Sequence, residues 1–259
     1  MAYPYTLKVV VSGKQVEVYK YTKEVWRDFE SKPQSDKPHK EPKQLNMFEQ
    51  EELRKKKVQY STNRTKTEIR RLVNSNPHLN KFMTLTFADN VTDLKTANYL
   101  FNQFVKRISY RYKDFEYFAV PEFQKRGAVH YHVLCNLPYV EMGALEYTWG
   151  HGIVNIRKVD EVNNLGAYMS KYLGKELFSG RMFGKKKFFR SQTLKEPVEL
   201  ISWWAMKFID KFLSLLKPVF EKKFESEYIG EVEYTAYTLD RVVFKDGILN
   251  PAVLMGTVW

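Results

Sequence analysis

Two short segments of the chain carry side chains whose types and spacing could do chemistry together. The first is His130-Tyr131-His132, which lies inside the apolar run AVHYHVLCNL. On a β-strand alternate side chains share a face, so both imidazoles project to one side while Tyr131 points to the other. Two imidazoles side by side can hold one divalent ion. This segment therefore predicts one half of a metal site.

The second segment, YMSKY, carries Tyr168 and Tyr172 with Lys171 between them. On a helix, residues four apart share a face, so the two phenols would lie one turn apart with the lysine beside them. A tyrosine hydroxyl ordinarily has a pKa of about 10, so it attacks a phosphate only when nearby positive charge assists it. A metal and a phenol together indicate phosphoryl transfer through a covalent phosphotyrosine.

Glu122 is the candidate for a third metal ligand. It lies eight residues before His130, on the preceding strand of the same predicted hairpin, and can reach across the ladder. A His-His-Glu set leaves positions open for substrate and suits Mn²⁺ or Mg²⁺, with Zn²⁺ or Co²⁺ also able to bind. The alternatives are a solvated carboxylate at the sheet edge and two histidines that serve packing.

The N-terminal part of the chain divides into three segments. Residues 1–30 alternate apolar and polar side chains around a Ser-Gly-Lys turn, which predicts a β-hairpin. Residues 31–44 contain three prolines and several lysines but no large apolar residue, a composition typical of a linker. Residues 45–74 predict a helix with a basic flank, which is either a solvated face or a DNA contact.

Residues 75–190 carry the chemical segments and predict a single domain. KFMTLTFA predicts a strand, residues 94–112 a helix, and FEYFAVPEF and VHYHVLCNL a hairpin joined by QKRGA. GIVNIRKV predicts a further strand, and a final helix is expected to begin at Asn163 or Asn164 and to contain both tyrosines. The order β-α-β-β-β-α predicts an α+β fold with a mostly antiparallel central sheet.

A basic and aromatic segment, GKKKFFR at 184–190, ends this domain. Its cations are expected to contact nucleic-acid phosphates, as is a lysine that follows the second tyrosine. The predicted DNA-binding residues are Lys175, Lys185, Lys186, Lys187 and Arg190. Residues 191–259 predict a C-terminal extension, in which a long helix beginning at VELISWW runs up to Pro218 and strand alternation follows.

The composition limits the class of partner. Lys and Arg total 42 against 30 Asp and Glu, a net charge of +12, and aromatic residues make up 15 % of the chain. This combination suits single-stranded nucleic acid, although charge alone also occurs in basic proteins that bind none. A single cysteine excludes an internal disulfide and favours a reducing, cytoplasmic setting. No signal peptide, apolar membrane span or phosphate-binding loop is present in the sequence.

Three segments together resemble the motifs of the HUH endonuclease superfamily, the replication initiators of rolling-circle plasmids and of single-stranded DNA phages and viruses. FMTLTFADN at 82–90 is similar to motif I, HYHVL at 130–134 to motif II, and YMSKYLGK at 168–175 to motif III. The resemblance implies a five-stranded antiparallel sheet of the RNA-recognition, ferredoxin-like type. It also implies that a central strand carries the histidines, that a helix presents the tyrosine, and that Glu122 matches the third ligand.

The resemblance implies an activity as well. Such initiators nick single-stranded origin DNA, keep the 5′ end as a phosphotyrosine, free a 3′-OH primer, and rejoin the strands at termination. The order of histidines before tyrosine resembles Rep proteins and not conjugative relaxases. Two tyrosines spaced as Tyr168 and Tyr172 resemble the two-tyrosine initiators, in which the phenols alternate. A host helicase and polymerase would be partners, in the cytoplasm of a bacterial host or in a virus-infected cell.

Three other functions remain open on the sequence. An HUH transposase would share the active site and differ in the DNA that it recognises. A non-catalytic nucleic-acid-binding module would use an RNA-recognition-like sheet with Tyr131 and Phe118 as stacking residues. A metallohydrolase that activates water would leave a free 5′-phosphate instead of a protein-linked end.

Overall fold

The computed structural model describes most of the chain in two compact units. The described residues are 3–27, 46–159, 165–172, 185–226, 229–239, 244–245 and 248–249. One unit is Glu52–Leu194, and the other combines Met1–Glu51 with Lys195–Trp259. The predicted linker at 31–44 lies outside the described residues.

The helices and strands follow one another in mixed order along the chain. They are β1 (Tyr3–Ser12), β2 (Gln15–Arg27), α1 (Met47–Asn74), β3 (Lys81–Phe87), α2 (Leu94–Arg111), β4 (Tyr117–Phe123), β5 (Val129–Cys135), α3 (Met142–Trp149), β6 (Gly152–Lys158), α4 (Leu165–Tyr172), β7 (Phe189–Arg190), β8 (Val198–Ile201), α5 (Ser202–Phe212), β9 (Phe220–Ser226), β10 (Gly230–Thr238), β11 (Phe244–Lys245) and β12 (Ile248–Leu249). None of the described helices has the length and apolar character that a membrane span requires.

The unit Glu52–Leu194 is built on a five-stranded sheet in the order β6-β3-β5-β4-β7. Every neighbouring pair is antiparallel, and β5, which carries the two histidines, is the central strand. The prediction of an α+β fold with an antiparallel five-stranded sheet is confirmed. In this register Thr86 and Glu122 flank His130 on either side.

One face of this sheet is covered by α2. The helix turns a stripe of apolar side chains toward the strands, at the spacing that an amphipathic helix requires: Leu94, Ala97, Phe101, Phe104 and Ile108. The ring of Phe101 stacks on Tyr131 with centroids 4.3 Å apart. Asp93 caps the helix, since its carboxylate accepts a 2.7 Å hydrogen bond from the backbone N–H of Thr96.

The sequence analysis omitted α3, so the predicted element order is wrong at this point. With only eight residues and two buried side chains, this helix has too few turns to produce a clear periodic pattern. Its role is evident in the packing, because Trp149 is fully buried between Phe87 and Phe104. The indole N–H also donates to the carbonyl of Thr86 at 3.2 Å, which joins α3 to β3.

The second unit contains another five-stranded antiparallel sheet, ordered β8-β1-β2-β10-β9, with α5 packed against it. The N-terminal hairpin and the C-terminal segment, which the sequence analysis treated as separate extensions, therefore form one sheet. The predicted long helix from Val198 is wrong in its first turn. Residues 198–201 instead pair with β1, and α5 begins only at Ser202. Apolar residues at the free edge of β1 favour the strand over the helix.

Helix α4, which carries the two tyrosines, packs very closely on α1. The backbone N–H of Gly166 donates to the Asn74 side-chain oxygen at 3.0 Å. A Cβ atom added at Gly166 would lie 2.3 Å from the carbonyl oxygen of Arg70, well inside van der Waals contact. Met169 is fully buried on the same helix. The absence of a side chain at Gly166 therefore sets the position of α4.

We expect the substitution Gly166→Ala to destabilise the fold by about 1–3 kcal/mol, the usual cost of overpacking. The methyl group must push α4 away from the backbone of α1, since a carbonyl oxygen cannot yield as a flexible side chain can. Urea unfolding would measure the change. Gly143→Ala in α3 is the matched control, because nothing lies within 4 Å of the added methyl group. That variant should be neutral or stabilised by about 0.4–1 kcal/mol, and equal losses in both variants would contradict the close contact.

Candidate active site

The three predicted metal ligands lie side by side on the sheet face opposite α2. Alternation along β5 places His130 and His132 on this face and buries Tyr131 on the other. The two imidazole centroids are 6.1 Å apart. Glu122 is paired directly with His130 across the β4–β5 ladder, and its carboxylate contacts Nε2 of His132 at 2.6 Å.

His130 has the electronic character of a ligand. Its Nε2 atom is buried and has no hydrogen-bond partner among the described residues. Burial lowers the pKa of this imidazole below its ordinary value, and the charges of His132 and Arg126 lower it further, while Glu122 raises it. The neutral form, which carries the lone pair that a metal needs, is therefore favoured.

The residue types fit a divalent ion, but the side chains are arranged for hydrogen bonding. Within the described part of the chain, no group of three His, Cys, Asp or Glu side chains has the arrangement of a metal cluster. The direct contact between Glu122 and His132 accounts for this, because a shared ion would have to lie between the two atoms. The unpartnered, buried Nε2 of His130 is the observation that favours a ligand at this position.

Tyr168 lies on the same face of the sheet as the imidazoles. The edge of its ring meets the face of Phe82, with centroids 5.6 Å apart and an interplanar angle of 75°. Phe82 also stacks on His132, again with centroids 5.6 Å apart. One aromatic side chain of β3 therefore separates the predicted nucleophile from the predicted ligands and contacts both.

Arg157 is the functional residue that the sequence analysis missed. Its guanidinium donates a 2.8 Å hydrogen bond to the Tyr168 hydroxyl and lies 5.5 Å from the Phe82 ring centroid. Arg157 is opposite Phe82 in the β3–β6 ladder. Alternation along GIVNIRKV shows only which residues share its face, so the signal becomes useful once the pairing of β6 with β3 is known.

The other predicted residues of the tyrosine segment fall at the edge of what the structure describes. Lys171 and Tyr172 belong to α4, but their side chains are outside the described set. Lys175 and the predicted helix start at Asn163 or Asn164 also lie outside the described residues. The roles of these residues stay predictions.

The four basic residues before and within β7 have different environments. Lys185 and Lys186 are exposed, and the ammonium of Lys186 lies 4.6 Å from the Phe189 ring centroid. Lys187 instead donates to the hydroxyl of Ser61 at 2.7 Å, and burial lowers the pKa of its ammonium. Arg190 is half-buried on β7, opposite Phe118 of β4. A DNA contact is thus most accessible to the first two lysines.

The proposed stacking residues of a binding module are in the core. Tyr131 and Phe118 are both fully buried, so neither ring can receive a base, and that part of the alternative interpretation is wrong. The Tyr131 hydroxyl donates to the side-chain oxygen of Asn98 at 2.7 Å, and burial raises the pKa of this phenol. Tyr131 therefore has a structural role between β5 and α2.

Comparison with protein families bears on the same segment. Residues 80–177 match the family of replication-associated proteins of the ORF2 type. The match extends from β3 through α4 and so includes the two histidines, Glu122, Arg157 and both tyrosines. It supports a replication-associated role for this segment, which is less than half of the chain. No curated protein and no solved structure matches the chain.

Proposed function

We propose that this chain initiates replication by nicking single-stranded origin DNA through attack of a tyrosine on a phosphodiester. One observation carries the proposal: Tyr168 and His132 contact the two sides of Phe82 on one sheet face. This arrangement lies within the segment that matches replication-associated proteins. A phenol beside an imidazole and carboxylate cluster is suited to phosphoryl transfer.

The reaction exchanges one phosphodiester for another. The phenolic oxygen bonds to phosphorus and loses its proton, while the bond from phosphorus to the 3′ oxygen breaks and that oxygen leaves as a hydroxyl after gaining a proton. The products are a 5′-phosphotyrosine and a free 3′-OH. Because the number of phosphoester bonds is unchanged, the same 3′-OH or a new one can reverse the step and rejoin the strand.

Arg157 would activate Tyr168 in this step. Its N–H already donates to the phenolic oxygen, so negative charge that develops there as the proton leaves is stabilised without rearrangement. Phe82 would hold the ring at a defined angle and distance from the imidazoles. Arg157 thus takes the part that the sequence analysis gave to Lys171, which would serve the second phenol, Tyr172.

His130, His132 and Glu122 would hold a Mn²⁺ or Mg²⁺ ion. When bound, such an ion neutralises charge on the non-bridging oxygens of the scissile phosphate. Burial keeps His130 neutral, and Glu122 lies close enough to His132 to orient its ring. This carboxylate can therefore act either as a ligand or as the group that orients one.

The tyrosines are tested by covalent trapping. The protein is incubated with Mn²⁺ and labelled single-stranded DNA from its own replicon, and a denaturing gel reveals label that has moved onto protein. We expect an adduct with wild type, Tyr168→Phe and Tyr172→Phe, and none with the double variant. Loss in one single variant would assign one nucleophile, whereas a free 5′-phosphate without adduct would indicate water attack and contradict the proposal.

The role of Arg157 is tested where Tyr168 acts alone. In a Tyr172→Phe background, Arg157→Gln should slow adduct formation by about tenfold, because a donor to the developing phenolate is lost at a partly exposed site. In a Tyr168→Phe background the same change should have little effect. Lys158→Gln, the next residue of β6 and on the opposite face, is the control for loss of charge. Equal effects in both backgrounds would exclude a specific role toward Tyr168.

The metal ligands are tested by binding of Mn²⁺ alone, followed by electron paramagnetic resonance of the free ion. His130→Ala and His132→Ala should each weaken binding by at least about tenfold, and Glu122→Gln should do the same as ligand or orienting group. His78→Ala is the matched control, since His78 forms a similar pair with Glu116 at 2.5 Å away from the site. Binding that none of the three site variants reduces would place the ion elsewhere.

A further inference from the structure

A second polar region lies beside the candidate active site and has no part in the chemistry above. It is a cleft of about 930 Å³ between the start of α2, the β4–β5 hairpin and the segment before β7. Its volume falls within the range of pockets that hold small ligands and suffices for a nucleotide. The side chains that give it chemical character are Lys95, Asn98, Tyr99, Phe123, Arg126 and Lys186.

The cleft carries positive charge from three directions. Lys95 lies on α2, Arg126 on the hairpin, and Lys185 and Lys186 on the segment before β7. Arg126 is held in place because its guanidinium donates to the carbonyl of Phe87 at 2.6 Å. Such a concentration of cations favours a ligand with phosphate groups.

The single acid of the cleft lining does not cancel this charge at the surface of the cavity. The Asp93 carboxylate accepts hydrogen bonds from the backbone N–H and the hydroxyl of Thr96, at 2.7 and 2.6 Å. These bonds lower the pKa of Asp93 and direct its oxygens toward the first turn of α2. The carboxylate is therefore committed to capping the helix.

The cleft also presents groups that suit a nucleobase. Tyr99 is 61 % exposed, which is unusual for an aromatic ring and leaves a face for stacking. Asn98 is oriented from below, because its side-chain oxygen already accepts from the Tyr131 hydroxyl at 2.7 Å. The amide N–H₂ is the part of Asn98 left to donate to a base edge.

The position of the cleft connects it to the candidate active site. Phe123, which lines the cleft, directly follows Glu122 in β4 and points to the opposite face. The hairpin of which Arg126 is part ends at β5 just before His130. A strand of nucleic acid that crosses the imidazole face would reach the cleft by passing the end of this hairpin.

We propose that this cleft binds a nucleotide of the substrate strand next to the scissile phosphate, with the base stacked on Tyr99. Asn98 donates to the edge of that base, and Lys95, Lys185 and Lys186 bind the adjoining phosphates. The ligand class is single-stranded DNA, and its identity as the origin strand rests on the proposed function. The cleft would thus contribute to the choice of cleavage position.

Fluorescence anisotropy tests the cleft without any cleavage. A labelled single-stranded oligonucleotide of about twelve residues, within the usual site size, is titrated in EDTA with the full chain. Tyr99→Leu should weaken binding by about tenfold through loss of stacking. Tyr110→Leu is the matched control, because Tyr110 is on the same helix and 81 % exposed but outside the cleft. It should change binding by less than about twofold.

Two further variants separate the base from the phosphates. Lys186→Gln should reduce the slope of log affinity against log salt by about 0.7, as expected for one lost phosphate contact on a single strand. Asn98→Ala should leave that slope unchanged and reduce the difference in affinity among the four homopolymers. Competition by inorganic phosphate as strong as that by a mononucleotide would indicate a phosphate site only and overturn base binding.

Failure of this inference can be distinguished from failure of the proposed function. Equal losses with Tyr99→Leu and Tyr110→Leu, or no loss with Tyr99→Leu, would overturn the cleft even if the covalent adduct forms. A tyrosine-dependent adduct is measured separately with Mn²⁺. If no adduct forms but Tyr99→Leu still weakens binding selectively, the cleft is a single-strand site and the nicking proposal is wrong.

Discussion

The register of the β4–β5 ladder is the constraint on which the candidate site depends. It pairs Glu122 with His130 and brings the Glu122 carboxylate to His132. A slip of one residue would exchange the faces of the strand, burying both imidazoles under α2 and exposing Tyr131. The stack of Tyr131 on Phe101 opposes this slip, since a fully buried aromatic pair would be lost. Packing on one face thus stabilises the chemical arrangement on the other.

The imidazole face is completed by parts that arrive from distant points of the sequence. Phe82 comes from β3, Arg157 from β6 and Tyr168 from α4, and each contacts another member of the group. Their relative positions are set by backbone contacts as much as by side chains. The close approach of Gly166 to α1 sets where α4 lies, and the β3–β6 register places Arg157 beside Phe82.

Three consecutive residues of β5 link the candidate site to the cleft. His130 and His132 face the tyrosine, and Tyr131 passes through the core to orient Asn98 at the edge of the cleft. A substrate strand in contact with both regions would be bound at a base and at the scissile phosphate. The rigid sheet between the two regions would then set the distance from the selected base to the attacked bond.

Local periodicity was enough to predict the features that lie within one element or in the order of elements. Alternation along β5 placed both histidines on one face, and the order of strands and helices indicated an antiparallel α+β domain. Which distant elements meet became evident only from the folded chain: Arg157 with Tyr168, Lys187 with Ser61, and β10 with β2 in the second unit. These pairings arise from strand order and helix packing across long separations, and the free energy that selects them comes from buried surface that no short window of sequence contains.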